Sequence, residues 1–278
     1  MMKFTLSNGN TIPSLGFGTW QMENREAAQA VKNALQSGYC HIDTARAYQN
    51  EEGVGQGIRE SGRKREEVFL TTKLLNGYLN REDPEVCIQE SLEKLGVTYL
   101  DLMLVHWPAT ANYMEDWQAY NLKTWRVLER YVKQGVLRSI GVSNFLPQHL
   151  EPLLDQAEIP PVVNQIECHP GYMQWGVGQY CKSKGILVEA WSPLGNGGVL
   201  SDARLGQIAQ KYGKSVAQIC IRWNLQHGVL PLPKASSPGH MTSNLQVFDF
   251  EIQASDMAVI DSLPLMGYSG LDPDLVKF

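Results

Sequence analysis

Two hydrophobic rhythms alternate along the chain. Short, dense apolar runs cover Leu15–Gly18, Cys40–Asp43, Phe69–Lys73, Leu100–His106, Ser139–Ser143, Val162–Glu167, Leu187–Ser192 and Val229–Leu232. Each has the length of a buried strand. Between them apolar residues return at helical spacing. Arg25–Gln36 carries Ala27, Val31, Ala34 and Leu35, and Trp117–Lys133 carries Trp125, Leu128, Tyr131 and Val132. Pro84–Leu95 carries Val86, Ile88, Leu92 and Leu95, with Pro84 as a start signal and Gly96 as a stop. Ala203–Tyr212 and Ser215–Gln226 form a helical pair before the last strand. Ahead of the alternation, Lys3–Leu6 and Thr11–Ser14 flank Ser7-Asn8-Gly9-Asn10, and Asn-Gly is a strong hairpin signal. After Leu232 the chain turns polar and loop-rich, with one short amphipathic piece around Ala254–Leu263.

The strand starts lie roughly 23 to 42 residues apart, room for one helix per crossover between parallel strands. Eight such units fit an α/β class (β/α)8 barrel with an N-terminal hairpin and a C-terminal loop better than an open doubly wound sheet. A barrel of 278 residues fits one domain spanning residues 1–278, and no Pro/Gly/Ser-rich linker divides it.

Composition narrows the function. A net charge of -5 argues against a nucleic-acid partner. No apolar run approaches a membrane span, and the first residues lack the apolar core of a signal peptide. Five cysteines without a C-x-x-C spacing suit reduced thiols in a cytoplasm. Cys168-His169 would point to opposite faces of a strand, and no second Cys/His pair is spaced to help, so no metal is expected. No interface stripe stands out, which makes a monomer the default.

Barrels keep their chemistry at the carboxyl ends of the strands. Those ends deliver Thr19 and Trp20; Asp43 with Tyr48 just beyond; Lys73; His106 followed by Trp107; Ser143 and Asn144; Gln165; and Trp191 with Ser192. A tyrosine with a pKa of about 10 is a poor acid at neutral pH. A lysine ammonium nearby favours the phenolate and lowers that pKa, and an aspartate beside the lysine keeps it charged. A histidine beside the phenol can orient a carbonyl oxygen. Together Asp43, Tyr48, Lys73 and His106 make a device for protonating an oxygen that is gaining negative charge. Hydride reduction of a carbonyl creates such an oxygen. Singly, each residue has an ordinary structural reading: a cap, a solvated strand end, a core histidine.

On these residues the chain resembles the aldo-keto reductase family. Gly38–Glu52 resembles the family's first signature, with Asp43 and Tyr48 in place. Leu70–Leu74 and Val105–Pro108 match the segments carrying Lys73 and His106. The resemblance, closest to the short microbial diketogluconate-reductase-like branch, implies reduction of an aldehyde or ketone by NAD(P)H, with Tyr48 as proton donor. It implies Ser143, Asn144 and Gln165 at the nicotinamide carboxamide and Trp191 stacked on the ring. It adds Thr19, Trp20, Asp43, Ser192, Leu194 and Asn196 to the cofactor contacts, and Lys234, Ser236, Ser237, His240 and Asn244 at the adenosine end. Trp20, Tyr48, His106 and Trp107 would line the substrate's carbonyl end, with Tyr268 and Leu271 of the tail as candidates for the far side. Gly195-Asn196-Gly197-Gly198 suits a phosphate-cradling loop. Gly53-Val54-Gly55-Gln56-Gly57 lacks the spacing and the context of a dinucleotide fingerprint.

The chain departs from the family at the adenosine end, where Ala235, His240 and Ser243 replace the usual Ser, Arg and Glu. Arginine suits the 2′-phosphate of NADPH, and a neutral imidazole lacks that permanent charge. NADPH is favoured, with NADH or dual use open. Two other functions remain open at this point: a Schiff-base lyase using Lys73, which requires a depressed lysine pKa, and a non-catalytic cofactor-binding barrel.

Overall fold

The computed structural model describes residues 2–75 and 83–276. A hairpin of β1 (Lys3–Thr5) and β2 (Thr11–Pro13) turns at Gly9, whose φ is +86°. Eight parallel strands follow in sequential order: β3 (Phe17–Gly18), β4 (His41–Asp43), β5 (Phe69–Leu74), β6 (Leu102–Val105), β7 (Ile140–Ser143), β8 (Val163–Glu167), β9 (Leu187–Trp191) and β10 (Leu230–Pro231). The sheet wraps round until its two edges meet. Gly16 N–H donates to Pro231 O (3.1 Å) and Gly18 N–H to Pro233 O (3.2 Å), which closes the expected (β/α)8 barrel. Several strands are shorter than the apolar runs. Leu100, for example, makes only an isolated bridge to Leu137 before β6 begins.

Helices surround the barrel: α1 (Asn24–Ser37), α2 (Glu51–Glu60), α3 (Pro84–Leu95), α4 (Trp117–Lys133), α5 (Pro147–Leu154), α6 (Trp175–Ser183), α7 (Ala203–Tyr212) and α8 (Val216–Gln226). Gly96 acts as the expected stop. Asp83 caps α3 by accepting from Glu85 N–H, and Gly38 and Gly96 end α1 and α3 in left-handed conformations. Two corrections concern the tail. The stretch expected to be loop after Leu232 contains α9 (Pro238–Leu245), which starts with Ser237 capping His240 N–H and Pro238 at the first position. The amphipathic piece forms α10 (Ala254–Asp261), ending earlier than expected.

The described residues form two separate apolar cores. The larger lies between sheet and helices and takes the inward faces of all the long helices. The smaller sits inside the lower barrel, where Leu102, Leu104, Val163, Leu230 and Leu232 meet Leu6 and Ile12 of the hairpin. The hairpin is therefore a plug. Asn10 Nδ2 ties it to Arg138 O (2.8 Å) and Asn8 Nδ2 to Ser139 Oγ (3.0 Å), just before β7 begins. The opposite mouth is left for chemistry.

The glycine run 53–57 proves wholly helical, and its role is packing. A Cβ on Gly53 would stand 2.0 Å from Asn24 O, and one on Gly55 2.2 Å from Leu95 O. α2 thus lies against the start of α1 and the end of α3 with no room for a methyl group. Helix propensity alone would make Gly55→Ala stabilising by about 1 kcal/mol. The contact with a backbone oxygen reverses the sign, because overpacking typically costs about 1–3 kcal/mol. Gly55→Ala is expected to lower the thermal midpoint by several degrees in a melting experiment, and a raised midpoint would refute this packing.

Candidate active site

The four residues singled out at three neighbouring strand ends come together. Asp43 ends β4, and Tyr48 ends the single 3-10 turn Arg46–Tyr48 that follows. Lys73 lies in β5, and His106 directly follows β6. Lys73 is completely buried, and its Nζ has three acceptors for its three protons: Asp43 Oδ1 (2.6 Å), Thr44 O (2.8 Å) and Tyr48 OH (3.4 Å). The ring of Tyr48 meets that of His106 edge to face, with centroids 5.7 Å apart.

Electrostatics set the protonation states. Burial pulls Lys73 toward neutrality, but Asp43 and Tyr48 outweigh it and hold its pKa above the ordinary value. An ammonium so held, with every proton assigned, is the opposite of a Schiff-base nucleophile. The expected lowering of the tyrosine pKa is corrected. Burial raises Tyr48 further than Lys73 lowers it, so the phenol is protonated at neutral pH. His106 is pushed well below its usual pKa, first by burial and then by Lys73, and is neutral. Its Nδ1 is sealed without a partner among the described residues. The site at rest is a protonated phenol between an ammonium and a neutral imidazole.

A second layer fixes these groups. Gln165 Nε2 donates one hydrogen to Asp43 Oδ2 (2.9 Å) and the other to Glu189 Oε2 (2.8 Å). Asn144, in a left-handed conformation (φ +63°), donates from Nδ2 to His106 O and accepts from Trp191 Nε1 at 2.8 Å. Ser143 Oγ donates to Gln165 O. Thr19 is buried and donates twice to Asp43 O, from N and from Oγ1. Sequence reasoning passed over Glu189 because a strand-interior glutamate carries no motif; its inward register could have flagged it.

The remaining cofactor candidates occupy two places. Ser192 and Asn196, both left-handed, are joined by a hydrogen bond of 2.5 Å at the start of the glycine-rich turn, with half-buried Leu194 between them. Lys234, Ser236 and His240 are exposed around the start of α9, whereas Asn244 is buried. Trp20 is 40% exposed, while Trp107 packs inside the protein with its ring 6.4 Å from that of His106. The arrangement fits a nicotinamide cofactor. A half-buried indole pinned by Asn144 offers a ring face, and the neighbouring amides can meet a carboxamide. Both amide hydrogens of Gln165 are engaged, which leaves its carbonyl oxygen as the end of that side chain to meet the carboxamide.

The C-terminal segment runs across the mouth as a strap. Ser269 is held by buried Glu167, whose Oε1 accepts from Ser269 N–H (2.9 Å) and Oε2 from its hydroxyl (2.7 Å). Farther on, Asp274 Oδ1 meets His149 Nε2 (2.8 Å), and Tyr113 OH donates to Leu275 O. Tyr268 packs against Tyr172, with centroids 4.5 Å apart. Leu271 and Pro273 face Asn144, Ile166, Glu167 and Trp191 across a narrow cavity. Lys277 and Phe278 lie outside the described residues.

Comparison with known proteins agrees with this geometry. The model of the Aldo/keto reductase family matches residues 14–264. The chain is 47% identical to the glyoxal reductase of Bacillus subtilis (strain 168) over 274 residues, 98% of this chain and 96% of that protein. It is 41% identical to the methylglyoxal reductase DkgA of Salmonella typhimurium over 273 residues, 97% and 96% of the two. Among solved structures it resembles a Bombyx mori aldo-keto reductase in complex with NADP, with a TM-score of 0.85 at 38% identity, covering 94% of this chain and 92% of the other. With Asp43, Tyr48, Lys73 and His106 assembled at one barrel mouth and the match running almost from end to end, this chain belongs to the aldo/keto reductase family.

Proposed function

We propose that the chain reduces small aldehydes and ketones, with glyoxal-type dicarbonyls foremost, using NADPH and a proton from Tyr48. The observation that carries this reading is the protonated Tyr48 hydroxyl accepting from a fully buried, charged Lys73 beside a neutral His106. The names of the reductase relatives support the substrate class.

When bound, the cofactor supplies the hydride. The protein supplies the rest. Trp191, steadied by Asn144, gives a ring to stack on, and Ser143, Asn144 and Gln165 orient the carboxamide. His106, neutral, donates to the carbonyl oxygen and aims it at Tyr48. As negative charge builds on that oxygen, the Tyr48 proton moves to it, and the ammonium of Lys73 steadies the phenolate left behind. Asp43 keeps the ammonium charged and in place. Trp20 and the strap residues Tyr268 and Leu271 border the substrate.

At the adenosine end, exposed Lys234 and Ser236 would hold a 2′-phosphate, with His240, Ser237 and Asn244 completing the contacts. Following protein fluorescence, NADPH is expected to saturate at about one-tenth the concentration of NADH, a difference of about 1.4 kcal/mol. Equal saturation would mean that His240 marks dual cofactor use. Turnover of methylglyoxal with NADPH tests the reaction itself, and its absence would sink the substrate assignment. All five cysteines are free thiols, which supports a reducing, cytoplasmic setting.

A further inference from the structure

Below the catalytic pair the barrel holds another acid. Glu189 is fully buried on β9, paired in register with Gln165 of β8 on one side and with Leu230 of β10 on the other. The charged groups facing it across the barrel are Asp43 of β4 and Lys73 of β5. Glu167, the inward acid of neighbouring β8, is turned to Ser269 and His169. His41, lower on β4, is neutral: burial and then Lys73 push its pKa down to about 3.

A count of hydrogens shows why Glu189 is special. The three protons of Lys73 go to Asp43, Thr44 and Tyr48. The two amide hydrogens of Gln165 go to Asp43 and Glu189. Among the described residues, Glu189 Oε2 therefore receives a single neutral donor, and Oε1 is sealed with no partner. A carboxylate in that setting would be a buried charge with no cation in contact, which proteins avoid by holding the proton. The same holds for the cluster as a whole. With Glu189 neutral, one anion faces one cation; with Glu189 ionised, two anions do.

We propose that Glu189 is a positioning residue of the reductase site, held as the neutral acid so that Gln165 and Asp43 are fixed and a lone counter-charge faces Lys73. Its ionisation adds an anion beside the Lys73–Tyr48 pair and weakens Tyr48 as a proton donor. The inference rests on the assignment of Tyr48 as that donor. Burial, followed by repulsion from Asp43, pushes the Glu189 carboxyl up to about 8, so the change falls just above neutral pH.

The sign for stability is definite. Between about 4.5, the ordinary value, and about 8, the folded chain keeps a proton that the unfolded chain has lost. Stability attributable to this group therefore falls as pH rises through that window.

The test compares wild type with Glu189→Gln, which mimics the neutral acid. In single-turnover reduction with NADPH, the wild-type rate is expected to fall about 3- to 10-fold between pH 7 and 9, as a weaker acid transfers its proton more slowly. The variant should match wild type at pH 6.5 and lose that limb, with NADPH affinity unchanged. Its thermal midpoint should also fall less than that of wild type between pH 5 and 8. An identical alkaline limb in both proteins overturns the proposal, as do parallel midpoint curves. Should the variant fail to fold, infrared spectroscopy of wild type decides. A protonated-carboxyl band present at pH 7 and titrating near pH 8 supports the proposal, and its absence overturns it. Glu51→Gln serves as background, since burial raises that glutamate too. Loss of activity in Tyr48→Phe tests the underlying assignment separately, so the two failures are distinguishable.

Discussion

Tyr48→Phe is expected to lower kcat for carbonyl reduction by about 10²- to 10⁴-fold, the range that general acid catalysis contributes. The substitution removes one oxygen and leaves the ring, so the edge contact with His106 should survive. Lys73 keeps Asp43 Oδ1 and Thr44 O as acceptors and loses only its longest bond, the one at 3.4 Å. The fold and the cofactor site should therefore be intact. NADPH should quench tryptophan fluorescence at the wild-type concentration while turnover of methylglyoxal collapses. A kcat within threefold of wild type would remove Tyr48 from the mechanism and point to water or His106 as the proton source. Loss of both binding and turnover would mean that the hydroxyl has a structural role, contrary to its single contact with Lys73.

The second large effect is on stability as well as rate. Lys73→Met removes the only cation among the described residues in contact with Asp43, whose side chain is 5% exposed. Gln165 still donates to Oδ2, but the charge is left unpaired in a sealed barrel. Breaking a buried pair from one side typically costs about 3–5 kcal/mol. For a chain of this size that corresponds to a fall in the thermal midpoint of roughly 10 °C. kcat should fall at least as far as in Tyr48→Phe, since Tyr48 loses the cation that steadies its phenolate. The double variant Asp43→Asn with Lys73→Met separates the two effects. Removing both charges should recover most of the stability, because desolvation cancels much of what a buried pair contributes, and none of the activity. A Lys73→Met protein as stable as wild type would mean that water reaches Asp43.

Much of this site was legible in the sequence because its parts lie at strand ends. A strand that finishes at Asp43 and another that finishes around Lys73 must present those side chains at one mouth, whatever the helices do. The hairpin at Asn8-Gly9 and the stop at Gly96 were legible for a local reason: left-handed backbone is cheap for glycine. The strap was only partly legible. Tyr268 and Leu271 could be nominated as aromatic and apolar residues in a polar tail, but the pins are Glu167 with Ser269 and His149 with Asp274. Those pairs are separated by more than a hundred residues and follow no local pattern. Glu189 escaped for a related reason. Its meaning depends on the number of donors around it, which only the folded arrangement supplies. The direction of the Tyr48 shift was misjudged because the ammonium is visible in sequence and the depth of burial is not.

The closure of the barrel has a consequence for how the molecule is made. β3 is the first barrel strand to leave the ribosome, yet its Gly16 and Gly18 amides bond to Pro231 and Pro233. More than two hundred residues must be synthesised before that seam can form. Until then the growing sheet has open edges at both ends, and such edges invite pairing with other chains. Contacts of such long sequence separation also slow folding. The hairpin plug eases this only in part, because its anchors at Arg138 and Ser139 emerge well before the seam is complete. A nascent chain stalled before Leu230 would thus be a plugged but unsealed cylinder, and the arrival of Pro231 and Pro233 sets the moment at which the seam can close.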